Sequence, residues 1–516
     1  MELSKFVNHP PTDFTNTENI SLMKGALAYV RSELGKMYPI AIGEKKYDAK
    51  DMILSRNPFE QDRIVGKIFK AEKKHAQKAI EVALETFLEW QFVPVEKRVN
   101  FLLLAAEIMR QRQMDLASWI VYEIGKNWLD ADREVSDAID SLEFYAREAL
   151  RYATGQSLTK IPTVKNDLKF VPLGVGVILP SWNFPLSDLV NMTAAAIVTG
   201  NTVILQPSSE SPVIAYKFLE ILKEIEMPDG IVNFLPGSGA EVGEFLVKHP
   251  QIRFIGFTGS TKVGSRLIEI ASKRTKEQKW IKQVIAGMSG INAIIIDKTA
   301  DLKDAAKGVV ESAFGFQGQK CTSCSRVIID KAIYNKAISL ILKETKNIQI
   351  GNPIDMENTF GSVIHETAME RILNFIETAK KEGELIHGGK RYGRKRFIIQ
   401  PTIFKNVSAD AKIVQEEVLG PVLMITKSKN FDDAIDIANN TMYGLTGAVY
   451  TKSTRNMRYA KDRFQIGNLY FNQKCASSPV DVHPFGGFNM SGTNAKSGGK
   501  DYLLQFQQAK LISSQR

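Results

Sequence analysis

The chain has 516 residues, of which 44% are apolar and 24% are charged, a composition that predicts a globular protein of two or three domains. Its net charge of +10 arises from lysines and arginines that are mixed with acids along the whole sequence, so it predicts a solvated surface and not a nucleic-acid-binding face. Residues 1–20 lack the apolar core of a signal peptide, no uninterrupted apolar run reaches about 18 residues, and three cysteines are too few for a disulfide scaffold, so we expect a cytoplasmic protein that does not cross a membrane.

The first 150 residues are predicted to be mainly helical. Residues 1 to about 45 form a leading arm with one amphipathic helix near residues 22–34. From residue 71, apolar residues recur at spacings of three and four, which predicts helices around residues 76–87, 101–109, 116–124 and 135–150. Residues 159–171 then alternate loosely, with turn-forming residues at 165–167, and this pattern predicts a β-hairpin.

Short strands alternate with helices from residue 174 onward. Strands are predicted at 174–179, 202–205, 231–235 and 254–257, with helices at 186–198, after Ser211-Pro212 and at 241–248. Connections this short predict a parallel, doubly wound sheet. The alternation restarts after residue 285, with a strand at 293–296, a helix at 301–314, a strand at 326–330 and a helix at 331–344, so a second α/β domain is expected.

Two glycine-containing joints follow predicted strands and open predicted helices. They read PGSGAEVG at residues 236–243 and FTGSTKVG at residues 257–264. Glycine lets the backbone approach a phosphate closely, and a helix N-terminus supplies free N–H groups and partial positive charge. Ordinary strand-to-helix turns also use glycine, but two such joints in successive units favour a dinucleotide site.

Residues 315–326, GFQGQKCTSCSR, contain two of the three cysteines. Cys321 falls between a predicted helix and a predicted strand, beside Lys320, and a positive field there would favour a thiolate nucleophile. The alternative is a small buried apolar residue. A redox or zinc role for Cys321-Thr322-Ser323-Cys324 lacks a thioredoxin-like context and a second cysteine pair. An oxidative disulfide between Cys321 and Cys324 is a further hypothesis, although residues at i and i+3 often cannot reach disulfide geometry.

In their order, FTGSxxVG, GQKC and EEVLGPV (residues 416–422) resemble the aldehyde dehydrogenase family, as do PSWNFP (180–185), GNT (200–202) and PFGGFNMSG (484–492). The leading arm, LEFYAR (142–147), GNLYFN (467–472) and the PFGGFNMSGT tail are similar to one branch, the 1-pyrroline-5-carboxylate dehydrogenases. The resemblance implies two doubly wound α/β domains: an NAD(P)-binding domain of residues 1–150 and 172–287, and a catalytic domain of residues 288–490. Residues 151–171 and 491–516 would form oligomerisation elements of a homodimer or a dimer of dimers.

The activity that the resemblance implies is oxidation of L-glutamate γ-semialdehyde to L-glutamate in proline degradation, with NAD, or NADP, as the cofactor and no metal. Cys321 would attack the aldehyde, and Asn183 would hold the oxyanion. The residues expected to bind the cofactor are Ser181, Trp182, Gln206, Gly237, Gly259, Ser260, Glu417 and Leu419. Those expected to bind the substrate are Lys320, Thr322, Ser477, Ser478 and Phe485.

Several residues depart from the family pattern at the expected site. Gly287 stands where the family has the glutamate that activates water, and loss of a positioned base costs about 10²–10⁴ in rate. Gln206 replaces a lysine on the cofactor side, and Leu419 replaces a phenylalanine. Three outcomes therefore stay open: a slow or differently assisted dehydrogenase that uses a neighbouring group or looser water for deacylation, an enzyme that passes its acyl group to coenzyme A, and a non-catalytic structural or regulatory paralogue.

Overall fold

Two seven-stranded sheets organise the part of the chain that the computed structural model describes, which is residues 3–393, 396–476 and 478–515. The helices are α1 Thr17–Glu33, α2 Lys73–Trp90, α3 Val95–Gln111, α4 Gln113–Ile124, α5 Trp128–Ala153, α6 Ser187–Val198, α7 Pro212–Glu224, α8 Glu244–Lys248, α9 Thr261–Ser272, α10 Leu302–Phe314, α11 Tyr334–Thr345, α12 Glu366–Ala379, α13 Phe431–Asn439 and α14 Thr454–Arg463.

The strands, in chain order, are β1 Lys36–Tyr38, β2 Ile40–Ile42, β3 Lys45–Tyr47, β4 Met52–Arg56, β5 Ile64–Phe69, β6 Val164–Pro172, β7 Val175–Leu179, β8 Thr202–Leu205, β9 Val232–Phe234, β10 Ile252–Thr258, β11 Gln283–Gly287, β12 Asn292–Ile296, β13 Cys324–Asp330, β14 Glu384–His387, β15 Thr402–Lys405, β16 Val422–Ser428, β17 Tyr443–Gly444, β18 Thr446–Tyr450, β19 Asn468–Phe471, β20 Phe488–Asn489 and β21 Gln507–Gln515.

The first sheet has the strand order β11-β10-β7-β8-β9-β2-β3. Its strands from β11 to β9 run parallel, and β2 and β3 extend it as antiparallel edge strands from the leading arm. Strands β8 and β9 are added on one side of β7 and strands β10 and β11 on its other side, so the strand order reverses at β7. Ligands of doubly wound sheets bind beyond the carboxyl ends of the strands at such a point. The predicted cofactor residues 181–182, 206, 237 and 259–260 all follow those carboxyl ends.

The second sheet has the order β14-β15-β16-β13-β12-β18-β19, and its strands are parallel except for β14. Strand β13 lies at its centre and is buried along its whole length, as expected of a parallel strand covered on both faces. The fold is therefore the predicted α/β architecture with two doubly wound units. Cys321 lies in the loop that enters β13, so the rigid middle of this sheet positions it.

The free edge of β11 is covered by residues 491–493, which come from near the end of the chain. Met288 donates its backbone N–H to the Ser491 carbonyl over 2.9 Å, and Thr493 donates to the Ala286 carbonyl over 2.9 Å. Gly492 makes the close approach possible, because a Cβ there would lie 2.4 Å from the Ala286 oxygen and its φ is +147°. A segment distant in sequence thus completes the wall beside Gly287.

The turn of the hairpin predicted within residues 159–171 is misplaced: the chain turns at residues 162–163, where isolated antiparallel bridges join Ile161 to Val164 and Gln156 to Leu168. Residues 165–167 are not a turn, because they lie inside the continuous strand β6, which pairs antiparallel with β21 along its whole length. The alternating pattern was a true strand signal, but its partner follows more than 300 residues later in the chain, where no local turn could reveal it. No helix in the described residues is long and apolar enough to span a membrane.

Candidate active site

A cavity of about 800 Å³ lies where the carboxyl ends of the first sheet face the loop that precedes β13. Its wall includes Cys321, Thr322 and Lys320 from that loop, Gly287 from the end of β11, and residues of α5 and α6. Residues of the segment 476–498 close another side. A large concavity that joins the elements of both sheets is where a ligand site is expected.

The loop that presents Cys321 is held in an unusual backbone conformation. Helix α10 ends at Phe314, and Phe316, Gln317 and Gly318 then adopt φ values of +50°, +55° and +67°. A side chain at Gly318 would lie 2.3 Å from the Gly420 carbonyl, so this position requires glycine. Asn292 fixes the other side of the loop, since its amide donates to the Cys321 carbonyl over 2.7 Å and to the Ser323 carbonyl over 2.9 Å.

The Cys321 thiol is half-buried and faces the cavity, as a nucleophile must. The expectation that Lys320 supplies a positive field for it is wrong. Burial first, and then the negative charges of Asp188 and Glu417, raise the pKa of the Cys321 thiol. The Lys320 ammonium is instead paired with Asp130 at 2.8 Å. Burial acts to raise the pKa of Asp130, but the charge and hydrogen bond of Lys320 together with the charges of Lys126 and Arg133 outweigh it, and the pKa falls to about 2. The thiol therefore needs a proton acceptor before it can react.

Asn183 lies against the cysteine loop. Its side chain is buried, and its amide Nδ2 donates to the Gln319 carbonyl, two residues before Cys321, over 2.8 Å. An amide nitrogen carries two N–H donors, so one is left for another acceptor. Asn183 is not among the described residues that line the cavity, and its hydrogen bond to Gln319 ties it to the loop that carries Cys321.

A buried ion pair anchors the loop that carries Asn183. Lys126 and Glu134 pair with each other, and both side chains are 1% exposed. Glu134 also accepts the backbone N–H groups of Leu186 and Ser187, at 2.9 and 3.4 Å, at the start of α6. The Lys126 ammonium lies 4.4 Å from the centre of the Phe184 ring. The sequence patterns did not single out either member of this pair.

None of the residues expected to bind a dinucleotide is among the described residues that line this cavity, and their hydrogen-bond partners differ from one residue to the next. Gln206 donates to the Gly237 carbonyl over 3.0 Å, while its Oε1 is buried and has no partner among the described residues. A buried acceptor without a donor costs about 1–3 kcal/mol, so it fits a ligand hydroxyl such as that of a ribose. Ser260 caps α9 by accepting the N–H of Val263. Gly259 leaves no room for a side chain, because a Cβ would lie 2.6 Å from the Phe257 ring.

The remaining expected cofactor residues have specific neighbours. Glu417 accepts the Ser289 hydroxyl at 2.7 Å and the Gly290 N–H at 3.1 Å, and burial raises the pKa of its carboxyl. Leu419 has a φ of +43°, uncommon for leucine. Trp182 packs against the Phe316 ring, with 6.0 Å between ring centres. Ser181 donates its hydroxyl to Asp188 over 2.9 Å and so already has a partner.

Among the expected substrate residues, Lys320, Thr322, Ser478 and Phe485 line the cavity. Ser477 falls outside the part of the chain that the structure describes. Because Asp130 pairs with Lys320, that lysine is not a free charge that attracts an anionic substrate. Gly287 also lines the cavity, and a Cβ there would meet only the Thr258 side chain, at 3.8 and 3.9 Å. Its backbone therefore has room for a larger residue.

Cys324 does not face Cys321. Its thiol is buried, donates to the Arg326 carbonyl over 3.2 Å and interacts with Cys475, and all three cysteines are free. The geometry therefore gives no support to the hypothesis of a disulfide between Cys321 and Cys324.

Asp188 is the main site residue that sequence reasoning missed. It lies in the first turn of α6, half-buried, and lines the cavity with Cys321. The available signal was a single acid in the otherwise apolar run of residues 186–198, which read as an ordinary favourable charge at a helix N-terminus.

Comparisons with known proteins agree on one family. A sequence model described as "Aldehyde dehydrogenase family" matches residues 46–512. A 1-pyrroline-5-carboxylate dehydrogenase of Geobacillus sp. strain WCH70 is 46% identical over 508 residues, which is 98% of this chain and 99% of that protein. That of Bacillus subtilis strain 168 is 43% identical over the same shares. A solved 1-pyrroline-5-carboxylate dehydrogenase from Thermus with bound NAD is 42% identical and covers 100% of both chains with a TM-score of 0.98.

Proposed function

Because this chain belongs to the aldehyde dehydrogenase family, we propose that it oxidises L-glutamate γ-semialdehyde, the open form of 1-pyrroline-5-carboxylate, to L-glutamate with NAD. The observation that carries the proposal is the full-length likeness to the NAD-bound Thermus enzyme at a TM-score of 0.98. The named relatives do not favour the coenzyme A-acylating or non-catalytic alternatives. Cytoplasmic location, as expected from the sequence, is part of the proposal.

Cys321 provides the nucleophile in this reaction. After loss of its proton, its sulfur forms a bond to the aldehyde carbon, and the carbonyl oxygen becomes an oxyanion. The free N–H of the Asn183 amide and the backbone N–H of Cys321 would donate to that oxyanion, and each donor of this kind is worth about 3–4 kcal/mol in the transition state. NAD, when bound, supplies the acceptor for the hydride that leaves the former aldehyde carbon. Cys321 then carries an acyl thioester, which water must cleave.

Residues of this chain also suit the binding of the two ligands. The unpartnered Oε1 of Gln206 would accept a ribose hydroxyl, and Ser260 and Gly259 would lie beside the pyrophosphate at the start of α9. Glu417 would bind the ribose on the nicotinamide side, next to Leu419. The hydroxyl of Ser478 would donate to the substrate carboxylate, while Pro479 offers no backbone N–H there.

The two-stranded sheet of β6 and β21 is proposed to join copies of this chain. Leu511 and Ile512 in β21 are 61% and 40% exposed, and the strand has an unpaired outer edge among the described residues. An exposed apolar edge strand commonly pairs with another chain. A homodimer or a dimer of dimers would cover it. The proposed division of labour is cofactor binding by residues 1–150 and 172–287 and catalysis by residues 288–490.

The proposed activity is tested by incubating the protein with NAD and glutamate γ-semialdehyde and measuring NADH and glutamate together. One glutamate should form for each NADH, and added coenzyme A should leave the rate unchanged. Cys321→Ala should abolish NADH formation while NAD still binds, measured by calorimetry. Cys324→Ala is the matched control, because that thiol faces Cys475 outside the cavity. No NADH from the unmodified protein would overturn the proposal.

A further inference from the structure

Release of the acyl group from Cys321 needs a base that the site at Gly287 does not provide. This inference rests on the proposed function, because it concerns the thioester which that function forms. Water at neutral pH attacks a thioester slowly unless a neighbouring group takes its proton. The described carboxyl groups that line the cavity are the candidates: Asp130, Glu134, Asp137, Asp140, Asp188 and Glu311.

Four of these six carboxyl groups are held by other partners. Their partners are Lys320 for Asp130, Lys126 for Glu134, Asn8 and His9 for Asp140, and Lys474 for Glu311. A carboxylate that is paired with a cation or with N–H donors is a poor proton acceptor, because these partners stabilise its charged form and cannot accept a hydrogen bond from the protonated form. The partners of Asp188 are the hydroxyls of Ser181 and Thr258, which can both donate and accept. Asp137 and Asp188 therefore remain.

Asp188 and Asp137 differ in their links to the reacting groups. The charge of Asp188 is the largest influence on the Cys321 thiol after burial, and Asp188 is hydrogen-bonded to Thr258 beside Gly287, whereas the largest influences on Asp137 are burial, Asp140 and Glu134. Glu417 also acts on the thiol, but both its oxygens accept hydrogen bonds and it is not among the described residues that line the cavity. Among the described carboxyl groups that line the cavity, Asp188 is therefore the one whose charge acts most strongly on the Cys321 thiol.

The Asp188 carboxyl also lies close to the place that a side chain at residue 287 would enter. Thr258 pairs with Gly287 across the neighbouring strands β10 and β11, and the Thr258 hydroxyl hydrogen-bonds Asp188. A Cβ on Gly287 would lie 3.8 Å from Thr258. A carboxyl group reaching out from residue 287 and the carboxyl group of Asp188 on α6 would therefore approach the same part of the cavity from two sides.

We propose that Asp188 is the catalytic base of the hydrolytic step, and that it supplies from α6 the carboxylate which is absent at Gly287. Asp188 takes a proton from water while the water oxygen forms a bond to the thioester carbon. The carbon–sulfur bond then breaks, and its electron pair leaves on the Cys321 sulfur. The proton on Asp188 then passes to that thiolate or to solvent. The carboxylic acid is released, and the free enzyme is restored.

The surroundings of Asp188 suit this role. Burial raises the pKa of its carboxyl to about 7, the Ser181 and Thr258 hydroxyls and the charge of Lys126 act to lower it, and Glu134 acts to raise it. The charge of Asp188 in turn acts to raise the pKa of the Cys321 thiol and of the Tyr502 hydroxyl. A base is most effective when its pKa lies near the working pH.

The test uses 4-nitrophenyl acetate, which acylates a reactive cysteine without NAD or an aldehyde. In the unmodified enzyme, nitrophenolate should appear in a burst of one equivalent per site, followed by steady turnover limited by deacylation. Asp188→Asn should keep the burst, slow the steady rate about 10²–10³-fold, and accumulate an acetyl adduct on Cys321 by intact mass. Asp137→Asn, which makes the same change in the same cavity, should stay within about threefold of the unmodified enzyme.

A rescue variant sharpens the test. The double variant of Asp188→Asn and Gly287→Glu should have a steady rate at least about tenfold higher than that of Asp188→Asn alone, because residue 287 has room for a side chain beside Thr258. The pH dependence of the unmodified enzyme is a further measurement. Its steady rate should rise with pH through about 7, as the base loses its proton. This rising limb should be absent in Asp188→Asn.

Three results would overturn the proposal: a steady rate in Asp188→Asn within about threefold of the unmodified enzyme, loss of the burst together with the turnover, or a steady rate of the unmodified enzyme that is flat across neutral pH. These ester measurements are independent of the physiological reaction. If the unmodified enzyme hydrolyses the ester through Asp188 but forms no NADH from glutamate γ-semialdehyde, the proposed function fails while this inference stands.

Discussion

Removing one member of the buried Lys126–Glu134 pair should destabilise the protein by an amount that depends on which member is removed. Glu134→Gln keeps an oxygen for the Leu186 N–H but leaves the Lys126 ammonium in a site where both side chains are 1% exposed. Breaking a buried pair in this way costs about 3–5 kcal/mol.

Lys126→Met should cost less. The Glu134 carboxylate that remains still accepts two backbone N–H groups at the N-terminus of α6, where a negative charge is favoured. We expect about 1–3 kcal/mol for this variant, and the methionine keeps apolar contact with the Phe184 ring.

Urea titrations followed by tryptophan fluorescence would measure the free energy of unfolding of both variants at pH 7. Lys380→Met is the matched control, because Lys380 and Glu377 form a surface pair that is 39% and 65% exposed, and its loss should cost less than about 1 kcal/mol. If Lys126→Met proves as destabilising as Glu134→Gln, the backbone donors at α6 do not stabilise the remaining carboxylate and the reasoning is refuted.

Three further outcomes are expected. Asn183→Ala should lower kcat about 10²–10³-fold and leave the Kd of NAD unchanged by calorimetry; an unchanged kcat would exclude Asn183 as an oxyanion donor. Gln206→Leu should raise the Kd of NAD about fivefold, equivalent to one hydrogen bond of about 1 kcal/mol, and should also destabilise the NAD-free protein, because it removes the Nε2 donor to the Gly237 carbonyl. Because burial raises the pKa of the Cys321 thiol, its alkylation by iodoacetamide without NAD should keep accelerating as pH rises beyond about 9, and a plateau near neutral pH would show a stabilised thiolate.

Local sequence signals predicted the core of both sheets closely. Strand β8 has the predicted bounds, and α7 begins at Pro212 after Ser211, because a strand of the parallel sheet and a proline at the first helical position each leave a short-range pattern. The strands of the leading arm were missed. They are three to six residues long, and β2 is buried only because the first sheet lies beside it, so their pattern depends on tertiary contacts.

The electrostatics of the site could not be predicted in the same way. Lys320 seemed free in the sequence because its partner, Asp130, precedes it by 190 residues. The same is true of Asp188, whose neighbours Thr258 and Cys321 follow it at long and unrelated spacings. A charge is a local property of the sequence, but the field at a sulfur atom depends on which distant groups the fold brings beside it.

The cover that residues 491–493 place on β11 has a consequence for synthesis. A nascent chain that has left the ribosome only as far as residue 490 already contains every strand of both seven-stranded sheets. The edge of β11 is still bare at that moment, because Ser491 and Thr493 have not yet reached Met288 and Ala286. The wall beside Gly287 is therefore completed only after residues 491–493 have been synthesised, later than every strand of the two seven-stranded sheets.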